Sequence, residues 1–335
     1  MTRALVIAPQ WIGDAVMTEP LLARLHARGE RLAVGALPWV APVYRAMPQV
    51  SEVIEFPFAH GGLQLRGRRQ LARQVHDRFD VAYICPNSLK SALLPFLAGI
   101  PKRVGYLGEA RVGLLTHRLR NPAKGQRPPM VAFYSALSGE ADLTHDRPHL
   151  QLASADVDAN LAALGLQRGG YCVLAPGAEY GPAKRWPTRN FAALADQLVL
   201  PVVLLGATND AEMCADIAES CATANIVNLA GKTTLAQALS VISATKFMVS
   251  NDSGLMHVAA GFGVPQVAIF GSSSPLHTPP LNAAAQVLWL KTDPAYQPAL
   301  DCAPCFERAC PLGHTRCLND LTPAMVQQRL PTQQT

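Results

Sequence analysis

Two junctions in this chain set reactive residue types where an apolar run gives way to a helical pattern. The first is Ala4-Leu5-Val6-Ile7-Ala8-Pro9-Gln10-Trp11-Ile12-Gly13-Asp14-Ala15. A strand runs into a short loop and then into a helix, with the carboxylate of Asp14 at the helix mouth. Such an acid can complement the positive helix end. It can equally act as a general base at the carboxyl edge of a parallel sheet, where open α/β folds bind their ligands. The loop lacks G-x-G-x-x-G, so the dinucleotide fingerprint is absent.

The second junction is Val249-Ser250-Asn251-Asp252-Ser253-Gly254-Leu255-Met256-His257, after the apolar run 245–248. A strand that ends in Asn-Asp-Ser-Gly and enters a helix aims backbone N–H groups and a hydroxyl at one point, a geometry suited to phosphate or ribose. Gly254 permits close backbone approach. His257, one turn on, faces the same point, and the bland alternative is a plain capped helix start.

Between these lies Leu174-Ala175-Pro176-Gly177-Ala178-Glu179-Tyr180-Gly181-Pro182-Ala183-Lys184-Arg185-Trp186-Pro187. A strand, a Gly/Pro-rich loop and two cations precede a helix opened by Pro187 and Thr188. Lys184 can serve as a compact charge for a diphosphate, or as an exposed lysine beside a packing anchor, Trp186. Two further strand ends, Gly206 to Asp210 and Leu229 to Thr234, offer loop residues to the same kind of pocket. Gly231-Lys232-Thr233 is no P-loop, because the upstream glycine is missing.

Strands and helices that alternate along the whole chain position these groups. Strands are expected at 4–8, 32–36, 53–56, 80–85, 103–106, 171–175, 201–206, 226–229, 246–250, 266–270 and 287–290. Helices are expected near 17–28, 65–77, 88–97, 131–138, 155–164, 190–199, 210–220, 234–243 and 254–261. Alternation of this kind implies right-handed βαβ units and parallel sheets. The chain has 335 residues, more than one core usually organises. Gly169-Gly170 looks like a hinge, so two similar Rossmann-like halves are expected, 1–165 and 166–335. No run of about 20 apolar residues is present to span a membrane. Eight cysteines without a secretion signal suit a reducing cytoplasm rather than a disulfide scaffold.

Charge is uneven. Residues 1–150 carry 19 Lys and Arg against 11 Asp and Glu, a net of +8, while the remainder is −3. The cations concentrate at Arg66, Arg68, Arg69 and Arg73, at Lys102, Arg103 and Arg111, and at Arg118, Arg120, Lys124 and Arg127. A charge run is commonly a solvated face. Without a nucleic-acid motif or interleaved aromatics, an anionic acceptor at a membrane surface fits better than nucleic acid. Cys302, Cys305, Cys310 and Cys317, with His314, are enough soft ligands for zinc, or a packed loop of reduced thiols.

The Gly13-Asp14 start, the Lys184-Arg185-Trp186-Pro187 loop and the Asp252-Ser253-Gly254-x-x-His257 strand end together resemble the ADP-heptose transferases of glycosyltransferase family 9. The resemblance runs nearly end to end and includes Cys302 to His314. It implies a GT-B architecture, an acceptor domain and a donor domain facing each other across a cleft, with the Cys-rich segment 302–317 in the donor domain. It implies inverting transfer of L-glycero-D-manno-heptose from ADP-heptose to the first heptose of the lipopolysaccharide inner core, on heptosyl-Kdo2-lipid A. It also implies a cytoplasmic, Gram-negative enzyme in peripheral contact with the inner membrane.

The roles implied by this resemblance are Asp14 as base and Lys184 as leaving-group cation. Gly13, Asp210, Thr233, Asp252, Ser253, Gly254 and His257 would bind the donor. The excess positive charge of the first half, separately from the resemblance, assigns Arg66, Arg68, Arg69, Lys102, Arg103, Arg118 and Arg120 to an anionic acceptor and its lipid surface. With a lysine and a helix start to meet the diphosphate, no metal or cofactor is expected. Glu179 and Tyr180 stand where relatives carry small hydroxyl residues, so no phosphate role is assigned to them. Transfer of the first or third heptose by another member of the family is the alternative, and a non-catalytic nucleotide-sugar-binding module is a different class.

Overall fold

The computed structural model describes residues 1–58, 62–123, 125–140 and 147–331. They form two compact units, Met1–Gln151 and Leu152–Thr335. The division falls ahead of the expected boundary after residue 165 and of the hinge expected at Gly169-Gly170. The helix Ser154–Ala163 counts with the second unit because it packs on the helix Leu235–Ser243, where Asn160 donates to the Ser240 hydroxyl at 2.9 Å.

The first unit is built on β1 (Arg3–Ile7), β2 (Arg31–Ala36), β3 (Val50–Glu55), β4 (Val81–Ile84), β5 (Lys102–Tyr106) and β6 (His117–Leu119). They lie in the order β3-β2-β1-β4-β5-β6, and every pairing is parallel. The second unit repeats the plan with β7 (Cys172–Ala175), β8 (Val202–Leu204), β9 (Ile226–Asn228), β10 (Met248–Asn251), β11 (Gln266–Ile269) and β12 (Ala285–Leu288). Its order is β12-β11-β10-β7-β8-β9, again all parallel. The fold class is therefore α/β with two Rossmann-like parallel sheets. The central strands are short apolar runs buried on both faces, such as Cys-Val-Leu-Ala of β7, as sheets covered by helices on both sides require.

In each sheet the strand order reverses at one place, between β1 and β4 and between β7 and β10. Crossovers leave in opposite directions there and open a crevice at the carboxyl ends of the strands. Both junctions singled out in the sequence come after strands at these reversals.

Some expectations change, and the short helices Ala41–Arg45, Arg316–Asn319 and Pro323–Gln327 are additions. The helix expected over 17–28 is Glu19–Ala27, and a separate short helix, Ile12–Met17, precedes it. At the break the Thr18 hydroxyl donates to the Ala15 carbonyl at 2.6 Å, and Pro20 lacks the N–H that would continue the ladder. Strand β6 is an addition to the expected strands, because it is too short to show a period. Among the described residues no helix is long and apolar enough to cross a membrane.

Candidate active site

At the reversal of the first sheet, Asp14 sits half-buried in the first turn of the helix Ile12–Met17. It lines a hollow of about 420 Å³ together with Arg68, Asn87, Lys90, Ser91 and Tyr134. The Tyr134 hydroxyl donates to Asp14 Oδ1 at 3.0 Å. Burial, and then the Asp14 charge, push that phenol well above its ordinary range, so it stays protonated. The opposite wall, residues 86–91, is held from beneath by Arg111. This arginine is fully buried and donates to the carbonyls of Tyr106 and Pro86 at 2.8 and 2.6 Å and to Asn87 Oδ1 at 3.0 Å. A guanidinium fits here because its planar fork reaches several acceptors at once. Arg111 is thus a brace, not part of a basic surface.

Arg68 is also buried, with its guanidinium 4.2 Å from the Phe58 ring centre and its Nε donating to the Leu63 carbonyl at 2.8 Å. Burial lowers its pKa. Arg66 and Arg69, its neighbours on the helix Leu65–Gln74, are exposed and outside the hollow. Lys102 and Arg103 open β5 and so stand at the amino edge of the sheet, the edge opposite to Asp14. Arg103 is tied to the Leu114 carbonyl at 2.6 Å. Arg118 lies within β6 and Arg120 just beyond its carboxyl end, both exposed. Lys124 lies outside the described residues.

At the reversal of the second sheet, Lys184 Nζ meets Asp252 Oδ2 at 2.6 Å, the lysine 18 % and the aspartate 5 % exposed. Asn251 sets this meeting. Fully buried, it accepts the Trp186 backbone N–H at 3.0 Å and donates to the Pro176 carbonyl at 2.6 Å, stapling the loop to the end of β10. Trp186 is buried against Phe191 and its indole N–H donates to the Leu321 carbonyl at 2.8 Å. His257 is buried, and desolvation depresses its pKa to about 4 against the pull of Asp252. It is therefore a neutral hydrogen-bonding group near pH 7.

The helix Gly254–Gly261 starts with no side-chain cap, although Ser253 stands at the capping position. The hydroxyls of Ser253, Ser272 and Ser273 are buried with no hydrogen-bond partner among the described residues. Donors left open at the carboxyl edges of two adjacent strands are what an anionic ligand takes up.

The remaining donor-side residues are dispersed. Asp210 accepts the Ala207 N–H at 3.0 Å. Its carboxylate fills the space beside Gly177 and Gly206, where a Cβ would stand 2.4 and 2.8 Å from the Asp210 side chain. Thr233 is half-buried, and the helix Leu235–Ser243 is capped by Thr234 instead. Gly13 belongs to the first unit. Asp156 and Asp158 have the Asp-x-Asp spacing that holds a metal in other transferases, but they lie on a helix, with Asp158 paired to Arg168 at 2.6 Å.

The Cys-rich segment supports the lysine loop. Ala183 N–H donates to the Arg308 carbonyl at 3.1 Å and Phe306 N–H to the Ser272 carbonyl at 2.7 Å. Tyr180 donates its hydroxyl to the Phe306 carbonyl at 3.2 Å, and Arg308 Nε reaches the Tyr180 carbonyl at 2.8 Å. Cys302, Cys305, Cys310 and Cys317 line a void of only about 20 Å³ with Ser272 and His314. Among the described residues no group of three or more His, Cys, Asp or Glu is arranged to hold a metal ion.

Sequence reasoning singled out Asp14, Lys184 and Asp252, which the structure sets at the two sheet reversals, and did not single out Tyr134, Asn251 or the Ser272-Ser273-Ser274 turn beside them. Only the last had a local signal, a serine cluster between a strand and Pro275.

The profile of glycosyltransferase family 9 (heptosyltransferase) matches residues 68–315. A lipopolysaccharide heptosyltransferase 2 of Escherichia coli is 39 % identical over 98 % of this chain and 97 % of its own length. A lipooligosaccharide heptosyltransferase 2 of Haemophilus influenzae is 36 % identical over 85 % of this chain and 88 % of its own. The solved structure of an E. coli ADP-heptose lipopolysaccharide heptosyltransferase II is similar with a TM-score of 0.81, at 37 % identity, over 98 % of this chain and 97 % of that one. With an acid at one sheet reversal, a lysine at the other and a likeness spanning nearly the whole chain, this protein belongs to glycosyltransferase family 9, the heptosyltransferases.

Proposed function

We propose that the chain transfers L-glycero-D-manno-heptose from ADP-heptose to the first heptose of the lipopolysaccharide inner core, with inversion. Asp14 takes the proton of the acceptor hydroxyl as that oxygen attacks the anomeric carbon. ADP departs as the C1–O bond breaks, and its growing charge is met by Lys184 and by the N–H groups that open the helix Gly254–Gly261. The base belongs to the first unit and the leaving-group charges to the second, so the acceptor is assigned to the first unit and the donor to the second.

The observation that carries this assignment is Asp14, half-buried on the wall of a hollow large enough for a sugar ring and flanked by Arg68 and Lys90. A non-catalytic module would have no use for a carboxylate held there. On the donor side, Lys184 is already paired with Asp252. A diphosphate that draws Lys184 to itself leaves the buried Asp252 carboxylate without its partner, so on this reading the ligand must also give Asp252 a donor, such as a ribose hydroxyl.

Arg68 and Lys90 take an anionic group of the acceptor. The exposed Arg66, Arg69 and Arg120 meet the anionic lipid surface around it, where each cation adds about 1 kcal/mol of attraction. The working enzyme then sits on the cytoplasmic face of the inner membrane.

Acceptor-dependent ADP release tests the assignment. Purified protein with ADP-heptose should release one ADP per heptose transferred to heptosyl-Kdo2-lipid A, with the anomeric configuration of the product inverted. ADP release at the same rate without acceptor, or a retained configuration, would overturn it. Activity on Kdo2-lipid A alone would reassign the chain to transfer of the first heptose.

A further inference from the structure

The Tyr134 phenol lies 120 positions from Asp14 in sequence and 3.0 Å from its Oδ1. We propose that Tyr134 is the positioning residue for the base: by donating to Oδ1 it fixes the orientation of the carboxylate and holds it in its ionised form. The proposal rests on the assignment of Asp14 as the base.

The tyrosine is itself fixed from outside the site. Its helix, Met130–Ser135, is anchored by Phe133, which stacks on Tyr106 at 4.0 Å between ring centres and accepts the Tyr106 hydroxyl on its carbonyl at 2.8 Å. The Tyr134 ring is buried, so its hydroxyl keeps one orientation. Among the described residues, the titratable and charged groups around the pair include Tyr44 and Cys85, both buried, and Arg68 and Lys90 on the hollow wall. Tyr44 is bonded to Thr18. Burial raises the pKa of Tyr44 and Cys85, and the Asp14 charge adds to this. Both stay neutral, so neither competes with the carboxylate for the phenol proton.

A carboxylate that accepts a hydrogen bond titrates lower than one that does not. Removing the phenol oxygen should therefore move the acid limb of the rate profile upward, which loss of packing alone would not do. In Tyr134→Phe, kcat at pH 7 should fall about 10-fold, the acid limb of kcat should rise by about one pH unit, and ADP affinity by calorimetry should stay unchanged. Replacement of Tyr134 by 3-fluorotyrosine, a stronger donor of nearly equal volume, should move the limb the other way. Adding Tyr134→Phe to Asp14→Asn should cost little more, because the two act as one unit.

An unshifted limb in both Tyr134 variants would overturn the positioning role and leave Asp14 as the base. If Asp14→Asn kept wild-type turnover, the base assignment itself would fail, whatever the Tyr134 variants did.

Discussion

The two sheets share one strand order and one place of reversal, yet their carboxyl edges are built from opposite materials. The edge of the first unit presents long side chains around an open hollow: an acid, a phenol, an arginine on a phenylalanine face. The edge of the second presents glycine, serine and backbone N–H groups close to the chain, with one lysine among them. Side chains that converge on a hollow can discriminate among sugars and move a proton. Backbone donors at short range suit a phosphate, which looks alike from every side. On the proposed assignment, the same topology serves acceptor and donor through the loops at the strand ends and not through the strands themselves.

That contrast breaks most sharply at Asp14. Asn there keeps the shape of the hollow and removes the proton acceptor, so kcat should fall by roughly 10²–10⁴ with ADP affinity intact. Near-wild-type turnover at saturating substrates would return Asp14 to the role of a helix acid. Lys184→Ala comes next. It removes charge from the donor edge and strands Asp252, so turnover should drop by roughly 10² and ADP binding should weaken with it, by calorimetry. A loss confined to the acceptor KM would contradict the division between the edges.

His257 sharpens the comparison through pH. Its folded pKa of about 4 lies below the ordinary value near 6.5. The unfolded chain therefore binds the proton first, and stability is lost as pH falls from about 6.5 towards 4. Between pH 7 and 5 the expected loss from this group is roughly 2 kcal/mol. Urea midpoints of the wild type and His257→Gln should diverge at pH 7 and converge towards pH 5, and parallel curves would show that the imidazole is not buried neutral. The smallest effect belongs to the exposed rim. Arg66→Glu with Arg69→Glu should raise the acceptor KM about 10-fold at low salt on anionic vesicles and leave the donor KM unchanged. Equal change in both constants would mark a folding defect.

The features legible in the sequence were local ones. Asp14 and Asp252 each sit where a strand, a short loop and a helix start succeed one another within a few residues, and Lys184 sits in a Gly/Pro-rich loop between a strand and a helix, patterns that need no knowledge of the rest of the chain. The alternation of elements likewise carried the parallel sheets. Tyr134 and Asn251 act across 120 and 65 positions, and nothing in their neighbours announces a partner. Arg68 is a different case. It lies at helical spacing from Leu71, Ala72 and Val75, all buried, so the periodicity that places those residues inward places Arg68 inward too. Within a run of arginines, charge masked the period. Lys102 and Arg103 show the converse limit: composition counts a cation but does not say at which end of a strand it stands.

The Arg308 carbonyl that accepts the Ala183 N–H also lies against Gly181. The glycine's φ is 153°, and a Cβ there would stand 2.5 Å from the Arg308 carbonyl oxygen, which as backbone has little room to yield. The lysine loop and the segment around Arg308 therefore form one part in two pieces of sequence. A chimera that borrows 176–187 from a relative should work only if it borrows 302–308 from the same parent. The smallest exchangeable module of the second unit is discontinuous along the chain.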